Sequence, residues 1–405
     1  MADELTYAER RARARSPEVE LLLYCARADA VNADRVGELV REKLDWDALA
    51  AAAEYHGLAP LLYSAVDRAC HRLVLDNVVP ENVVPEIVAS RLRGCYRDSA
   101  KRSLIFTAKL LALLDAFAAE GIAVVPLKGP ALAESLYPDP VLRPFSDLDL
   151  LVREQDVPAA LRVLTREGYS LGAHLARLPM HTLLRLQFEV LLRQEQMAPV
   201  DLQWAIGTVD YPFCFDMEIL WRSLGRSRIA GREVPSLSPE SLLLFLCVHG
   251  TKHLWSRLQW LGDVARLACA QPDWTATLEL AAGAGCESPM LLGLLLAHEL
   301  LEAPVPEAIL ERARGTQSVQ RLARQVLLRL NRIPPVEPES LEVTTFNARM
   351  AERTWKKVRH YAALLKAPTE VELELLPLPE RLFFLYYPLR AARLALKYGL
   401  WLARG

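Results

Sequence analysis

The first 120 residues place apolar side chains at three- and four-residue spacing, the pattern of amphipathic helices. The predicted helices are Val19–Ala28, Val36–Leu44, Trp46–Tyr55 and Pro60–Ala69. Asn77–Pro85 is rich in Pro and Asn and predicts a loop. A long helix is then predicted from Glu86 to Glu120, with Gly121 at its C-terminal cap. The first third of the chain is therefore expected to be helical.

The pattern changes after Gly121, where short β-branched runs alternate with helical segments. The predicted strands are Ile122–Leu127, Asp147–Val152, Leu184–Arg193 and Pro199–Ile206. Helices are predicted between them at Ala131–Tyr137 and Asp156–Glu167. This order of strands and helices is typical of an α/β or α+β core of about 100 residues, within the size range of one domain.

Helical periodicity returns from Ser238 onward. The predicted helices are Pro239–Cys269, Trp274–Ala284, Met290–Leu301 and Val305–Asn331. Arg332–Pro338 is Pro-rich and predicts a linker or a surface loop. The tail Pro377–Arg404 is apolar with interspersed basic residues, which suits a helix docked on its own domain or one lying on an anionic membrane surface.

The pattern as a whole predicts an α+β fold that is mostly helical. Three regions are expected: an N-terminal helical region at 1–120, an α/β core with a mixed sheet at 121–237, and a C-terminal helical region at 238–405. The chain has 405 residues, enough for two or three domains, and its 52% hydrophobic content is sufficient for a packed core.

Charge and cysteine content narrow the class of protein. Lys plus Arg number 48 and Asp plus Glu number 50, so the net charge of −2 gives no strong signal for nucleic-acid binding. The seven scattered cysteines include no Cys-x-x-Cys pair, which favours reduced thiols. The N-terminus is charged, and no apolar run approaches the roughly 18 residues of a transmembrane helix. We therefore expect a cytoplasmic protein.

The segment Ser146-Asp147-Leu148-Asp149 carries the main candidate chemistry. On a strand, residues i and i+2 project from one face with Cα atoms about 6.5–7 Å apart. Two carboxylates placed in this way repel each other unless a cation lies between them. Asp201 occurs between apolar neighbours on a later predicted strand and could join them. The three carboxylates predict a site for Mg²⁺, with two ions expected and Mn²⁺ as an alternative.

A phosphate-binding turn is predicted just before this segment. Lys128 and Gly129 follow a predicted strand and precede a predicted helix, so backbone N–H groups and a helix N-terminus would face a phosphate. Gly129 permits close approach of the backbone. Lys128 and Arg143 could neutralise phosphate charge, Arg143 with two parallel hydrogen bonds. Ser146 is expected to contact the nucleotide as well.

These residues also carry a family resemblance. LKGPALAESLYPDPVLRPFSDLDLLV, residues 127–152, resembles the signature of the bacterial uncharacterised nucleotidyltransferase family, within the polymerase-beta-like superfamily. Three further segments resemble the same family: DWDALAAAAEYHGLAPLL, PVDLQW and LLLFLCVHGTKHLWSRLQWLGDVARL. The resemblance covers most of residues 40–270 and extends weakly to PLRAARLALKYG in the tail.

The resemblance implies a polymerase-beta-like core and roles for individual residues. Asp147 and Asp149 would be metal ligands, Asp201 the third catalytic carboxylate, and Gly129 part of the phosphate turn. Two positions depart from the pattern. Pro130 stands where the superfamily has a second glycine or a serine, which removes an N–H and a hydroxyl from the turn, and Gln203 stands where the family favours histidine.

Two histidines on a predicted helix offer further candidates. His249 and His253 lie four residues apart, a spacing that can bind zinc, although no third ligand is evident. The alternative is a pair of partly buried polar residues that face a cleft or pack between domains. The family resemblance adds the possibility that His253, Trp255 or Asp263 faces the nucleotide.

The sequence therefore predicts a metal-dependent nucleotidyltransferase that moves a nucleoside monophosphate from an NTP, with ATP as the first candidate, to an acceptor. Pyrophosphate would be released. One alternative is a non-catalytic, antitoxin-like or pathway-associated protein that binds a nucleotide or a protein, and another is transfer of a phosphoryl group. The acceptor and the oligomeric state are not specified by the sequence.

Overall fold

The computed structural model describes residues 15–28, 33–75, 84–206, 213, 216–350, 358, 360, 362, 370–376, 378 and 380–402. Most of the predicted loop at Asn77–Pro85 lies outside these residues, as do parts of the tail at Pro377–Arg404. None of the helices in this described part of the chain has both the length and the apolar character that a membrane crossing requires.

Among the described residues, five helices precede the sheet, as the sequence predicts. They are α1 (Pro17–Ala26), α2 (Ala33–Leu39), α3 (Trp46–Tyr55), α4 (Ala59–Leu75) and α5 (Glu86–Ala119). Side-chain caps define two starts, because Ser16 accepts a hydrogen bond from the Val19 N–H and Asp45 accepts one from the Ala48 N–H. The 34 residues of α5 make a helix roughly 51 Å long.

A five-stranded mixed sheet follows, which confirms the α+β fold class. Its strands are β1 (Val124–Pro126), β2 (Leu148–Val152), β3 (Ser170–Leu171), β4 (Glu189–Arg193) and β5 (Val200–Gln203). Their order across the sheet is β1-β2-β5-β4-β3. Strands β2 and β5 are parallel, and the other neighbours are antiparallel. The predicted strand at Leu184–Arg193 is wrong in its first half, because that part forms the end of a helix.

Helices and a second small sheet surround these strands. The elements are α6 (Pro130–Leu136), α7 (Val157–Arg166), α8 (Ala173–Ala176), α9 (Met180–Leu186), α10 (Glu218–Arg222), β6 (Leu224–Ile229) and β7 (Arg232–Leu237). Strands β6 and β7 form an antiparallel hairpin that the sequence pattern did not reveal. Its turn uses positive φ angles at Ala230 and Gly231, 49° and 79°, which match the twist of a two-residue hairpin turn.

The C-terminal region is helical, as predicted. Its elements are α11 (Pro239–Lys252), α12 (Leu258–Cys269), α13 (Trp274–Ala284), α14 (Glu287–Leu301), α15 (Glu307–Gly315), α16 (Gln317–Leu330), α17 (Ser340–Met350), α18 (Glu370–Leu375) and α19 (Tyr386–Leu402). The predicted helix Val305–Asn331 is divided at Thr316 into α15 and α16.

The single helix predicted over Pro239–Cys269 is wrong, because the chain breaks between α11 and α12. Leu254 and Trp255 adopt positive φ angles of 58° and 49°. The Trp255 indole packs over Gly250 and Gly293, where added Cβ atoms would come within 2.4 and 2.9 Å of the ring. The two glycines make room for a large side chain, and its insertion interrupts the helix.

Two hydrophobic cores organise the molecule. One core joins helices α1–α4 to helices α11–α17, so the N-terminal and C-terminal helical regions pack together. The other core lies between the sheet, α7 and the second half of α5, and it includes Tyr386 at the start of α19. Helix α5 contributes Val88 and Leu92 to the first core and Leu110 and Phe117 to the second.

A buried histidine links the end of α3 to the start of α12. The Nδ1 atom of His56 accepts a hydrogen bond of 3.4 Å from the Leu258 N–H. Burial, and then the positive charge of Arg257, lower the pKa of His56 to about 4. The imidazole is therefore neutral at pH 7.

The histidine makes part of the stability dependent on pH. Because the folded pKa of about 4 lies below the usual histidine value of about 6.5, the contribution of neutral His56 is complete above pH 6.5 and is lost as the pH falls towards 4. His56→Gln keeps an acceptor without this titration. Between these two pH values, the wild type should lose about 3 kcal/mol more free energy of unfolding than the variant. Urea denaturation at both pH values measures this difference, and equal losses in the two proteins would contradict the prediction.

Candidate active site

Polar side chains gather on one face of β2, β5 and β4. Asp149 is directly opposite Asp201 in the parallel register of β2 and β5. Leu148, Leu150, Val200 and Leu202 alternate with the polar residues and face the second core. Asp149, Asp201 and Gln203 therefore share the opposite face, which is turned towards the helical regions.

The polar groups on this face are directly bonded to one another. The Gln203 Nε2 donates to Asp149 Oδ1 at 3.0 Å and to Asp201 Oδ2 at 2.8 Å. The Lys128 Nζ lies 2.7 Å from Asp149 Oδ1. Asp149 is only 3% exposed and Gln203 only 6%. The side-chain amide and the ammonium group thus hold the two carboxylates at fixed positions.

Two carboxyl groups at this position have raised pKa values. Burial, and then the negative charge of Asp149, raise the pKa of Asp147 to about 6. Burial, and then the charges of Glu189 and Asp149, raise the pKa of Asp201 to about 8. The raised pKa values mean that nearby positive charge does not fully offset burial and repulsion between the carboxylates. An added cation would favour the ionised forms.

Lys128 supplies positive charge from within the chain. Burial would lower its pKa, but the charges of Asp149, Asp147 and Asp201 outweigh burial and raise it. The side chain therefore stays protonated beside the carboxylates. It lies in the turn between β1 and α6, as the sequence predicts.

The turn after β1 depends on Gly129, whose backbone angles are φ 61° and ψ −133°. An added Cβ would lie 3.3 Å from the backbone oxygen of Asp147. Positive φ with this ψ is a region that residues with side chains rarely adopt. Gly129 therefore allows the turn that was predicted to bind phosphate to lie close to the backbone of Asp147.

Gly129→Ala should lower the free energy of unfolding by about 1–3 kcal/mol, the range for a residue forced into a strained conformation. The backbone near Asp147 must also shift to admit the methyl group. Gly94→Ala is the matched control, because no atom lies within 4 Å of its added Cβ in α5. Urea denaturation of both variants tests this, and equal stability of the two would contradict it.

The Arg143 guanidinium is hydrogen-bonded to the carboxylate of Asp263, so two of its nitrogen atoms are already engaged. Its Nε donates to Asp263 Oδ1 at 2.9 Å and its Nη2 donates to Asp263 Oδ2 at 2.8 Å. The Tyr137 hydroxyl donates to the same Oδ1 at 2.9 Å. The Gln259 Nε2 donates to the Pro144 carbonyl at 2.8 Å. Helix α12 thus anchors the loop that leads into Ser146 and Asp147.

A cavity of about 510 Å³ lies between this sheet face and the helical regions. Among the predicted site residues, those that line it are Lys128, Gly129, Arg143, Ser146, Asp147, Asp149, Asp201 and His253. Trp255 and Asp263, predicted as possible cleft residues, are both 0% exposed and do not line it. Trp255 belongs to the helical core, and Asp263 belongs to the buried pair with Arg143.

Other cavity residues were not among the predicted site residues. They are Glu54, Gly57, Arg102, Pro144, Phe145, Glu189, Gln203, Ile206, Phe245, Lys252, Arg257, Gln259 and Trp260. His249, which the sequence offered together with His253 as a zinc ligand or a residue facing a cleft, lines the cavity as well. Lys252 Nζ donates to Glu189 at 3.0 Å, so this pair closes one side of the carboxylate group. The alternation of apolar and polar residues in β4 could have suggested Glu189. Nothing in the sequence around Lys252 indicated that it pairs with Glu189.

Comparison with known proteins gives one match. A model of the uncharacterised nucleotidyltransferase family matches residues 42–302, more than half of the chain. The chain belongs to this family. The match includes the turn at Gly129, the three carboxylates and helices α11 and α12. No characterised protein and no solved structure matches the chain significantly.

Family membership supports a general nucleotidyltransferase role and an NTP substrate. It does not favour the alternative of a non-catalytic binding protein. The matched region extends across all three regions predicted from the sequence, so the family includes both the sheet and the helices that close the cavity.

The donor chemistry of the site fits a divalent cation. Asp147, Asp149 and Asp201 offer only oxygen ligands, which Mg²⁺ prefers together with substrate phosphates. Across the described residues, no group of three or more His, Cys, Asp or Glu side chains is arranged around one metal position. The three carboxylates are therefore of the donor type that Mg²⁺ prefers, but in the described residues they do not surround one position by themselves.

Proposed function

We propose that the protein transfers a nucleoside monophosphate from an NTP to an acceptor, with release of pyrophosphate and with dependence on a divalent cation. The observation that carries the proposal is the register of Asp149 with Asp201 on adjacent parallel strands, with Asp147 beside them at the wall of the cavity. The nucleotidyltransferase family match supplies the reaction class.

Asp147, Asp149 and Asp201 would hold Mg²⁺. Two ions are proposed, and Mn²⁺ is the alternative metal. When bound, the metal neutralises phosphate charge and activates the attacking oxygen. The raised pKa values of Asp147 and Asp201 support this role, because both carboxyl groups gain from a nearby cation.

Lys128, Gly129 and Ser146 would bind the triphosphate on the same side of the cavity. Lys128 is protonated, and Gly129 lets the backbone approach a phosphate closely. Arg143 has a different role here from the one predicted from the sequence. Its hydrogen bonds to Asp263 make it an anchor for the loop before Asp147. Its place in the cavity wall still lets its charge act on a bound phosphate.

Asp201 is the candidate base for the acceptor. Burial and the charges of Glu189 and Asp149 raise its pKa, and a bound cation would favour the ionised carboxylate that a general base requires. It would take the proton of the acceptor hydroxyl as that oxygen attacks the α-phosphate, and pyrophosphate would leave.

The test uses ATP labelled in either the α- or the γ-phosphate, incubated with the protein, Mg²⁺ and a fractionated cell extract. Transfer of the α-label to an acceptor, with release of pyrophosphate, is the expected result. Transfer of the γ-label would instead show phosphoryl transfer. Binding of ATP without transfer of either label across all fractions would favour a non-catalytic protein. Competition by unlabelled GTP, CTP and UTP would show which NTP is preferred.

A further inference from the structure

Four aromatic side chains form one wall of the cavity. This aromatic wall consists of Phe245 and His249 on α11, His253 at its end, and Trp260 on α12. The ring centroids of His249 and His253 are 4.7 Å apart, and each lies within 5.5 Å of the Trp260 centroid. Phe245 stacks on His249 at 6.1 Å. The two histidines and Trp260 are tilted against one another at interplanar angles of 47°, 55° and 81°, so these rings pack edge to face and support one another.

The two histidines of the aromatic wall are neutral at pH 7. Burial, and then the positive charges of Lys252 and Lys128, lower the pKa of His253 to about 3. Burial, with Lys128 as the next cause, lowers the pKa of His249 well below its usual value. A neutral imidazole offers one hydrogen-bond donor and one acceptor in an otherwise apolar surface. The wall therefore suits a planar, uncharged ring with polar edges.

Two other roles fit the wall less well. Zinc binding would need a third ligand, and the described residues contain no group of three such side chains around one position. Simple core packing does not account for the fact that all four rings line the cavity and that His249, His253 and Trp260 are only partly buried. The aromatic wall is therefore better explained as a surface that faces the cavity.

The position of the wall connects it to the phosphate side of the site. The charge of Lys128 acts on both histidines, so the residue proposed to bind phosphate lies near the wall. The cavity of about 510 Å³ falls within the usual range of roughly 300–1,000 Å³ for one small ligand. A single molecule with an anionic end and an aromatic end would satisfy both sides.

We propose that the aromatic wall binds the nucleobase of the NTP, with the base stacked on Trp260 and its edge bonded to His253 or His249. This inference rests on the proposed function, because it assigns the part of the NTP that the carboxylate side does not bind. A purine presents a larger ring surface than a pyrimidine, so ATP and GTP should bind more tightly than CTP and UTP.

The experiment measures the affinities of three probes by calorimetry in the presence of Mg²⁺: ATP, adenosine and inorganic tripolyphosphate. Trp260→Leu should weaken ATP and adenosine by about tenfold or more, the usual effect of losing one base–aromatic stack. Tripolyphosphate has no base to stack on the ring, so its affinity should change by less than about twofold. Trp260→Phe should restore most of the affinity for ATP, because it keeps an aromatic face.

Trp274→Leu is the matched control, because Trp274 is also partly buried against the helical core but does not line the cavity. It should leave all three affinities unchanged. The inference is overturned if Trp260→Leu weakens ATP and tripolyphosphate equally or leaves ATP unchanged, or if the wild type binds neither ATP nor adenosine. A loss confined to ATP and adenosine, in a protein that transfers no α-label, would uphold the inference while refuting the proposed function.

Discussion

Asp149→Asn is expected to lower the rate of nucleotide transfer by roughly a thousandfold or more, while the protein remains folded. Catalysis of phosphoryl and nucleotidyl transfer depends mainly on positioning and on charge stabilisation. Asparagine keeps the size of the side chain and an acceptor for Gln203, but it removes the negative charge that pairs with Lys128 and that would hold the proposed metal. The rate of pyrophosphate release measures the effect.

Two companion variants make this result specific. Lys128 forms its ion pair with Asp149, whereas Asp147→Asn removes another carboxylate of the same group, so activity should fall with a smaller change in stability. Asp156→Asn is the control, because this aspartate follows β2 in sequence but does not line the cavity. Unchanged turnover in Asp149→Asn would refute the metal role, and an equal loss in Asp156→Asn would show that the effect is not local.

Asp263→Ala should lower the free energy of unfolding by about 3–5 kcal/mol, the usual cost of removing one partner of a buried ion pair. Asp263 is 0% exposed and Arg143 is 4% exposed, so the guanidinium would lose its counter-charge while it remains almost entirely buried. The Tyr137 hydroxyl would lose its acceptor as well. Chemical denaturation of the variant and the wild type measures the change.

The double variant Arg143→Met with Asp263→Leu separates charge from packing. It removes both charges and keeps apolar volume, so it should recover much of the lost stability. Its activity should remain low, because the loop before Asp147 has lost the bonds that hold it to α12. The exposed pair of Asp115 with Arg232 provides a control, and Asp115→Ala should change stability far less. A double variant as unstable as Asp263→Ala would contradict this account.

The sequence predicted the parts of the site that depend on local pattern. Alternation along a strand is enough to place Asp149 on the polar face, and the later apolar segment with Asp201 indicated a second strand. The glycine before a predicted helix also indicated a tight turn, and Gly129 has the positive φ that such a turn requires. The metal and nucleotide roles of these residues stay predictions.

The partners that come from distant segments could not be predicted in this way. Arg143 was expected to bind phosphate because nothing near it in the sequence shows that Asp263, 120 residues later, takes up two of its donors. The break after α11 depends on Gly293 in another helix, which makes room for the Trp255 ring. The role of Gln203 as a donor to two carboxylates became visible only when their register was known.

Helix α5 contributes to both hydrophobic cores, which limits where the chain can be cut into stable fragments. Its second half supplies Leu110, Leu113 and Phe117 to the core beneath the sheet, whereas its first half packs with the other helices. A fragment cut at residue 121 would expose the sheet side that these residues cover and would be prone to aggregation. The sheet region is therefore not expected to fold on its own, and heat should melt the sheet and the helices together in one cooperative transition.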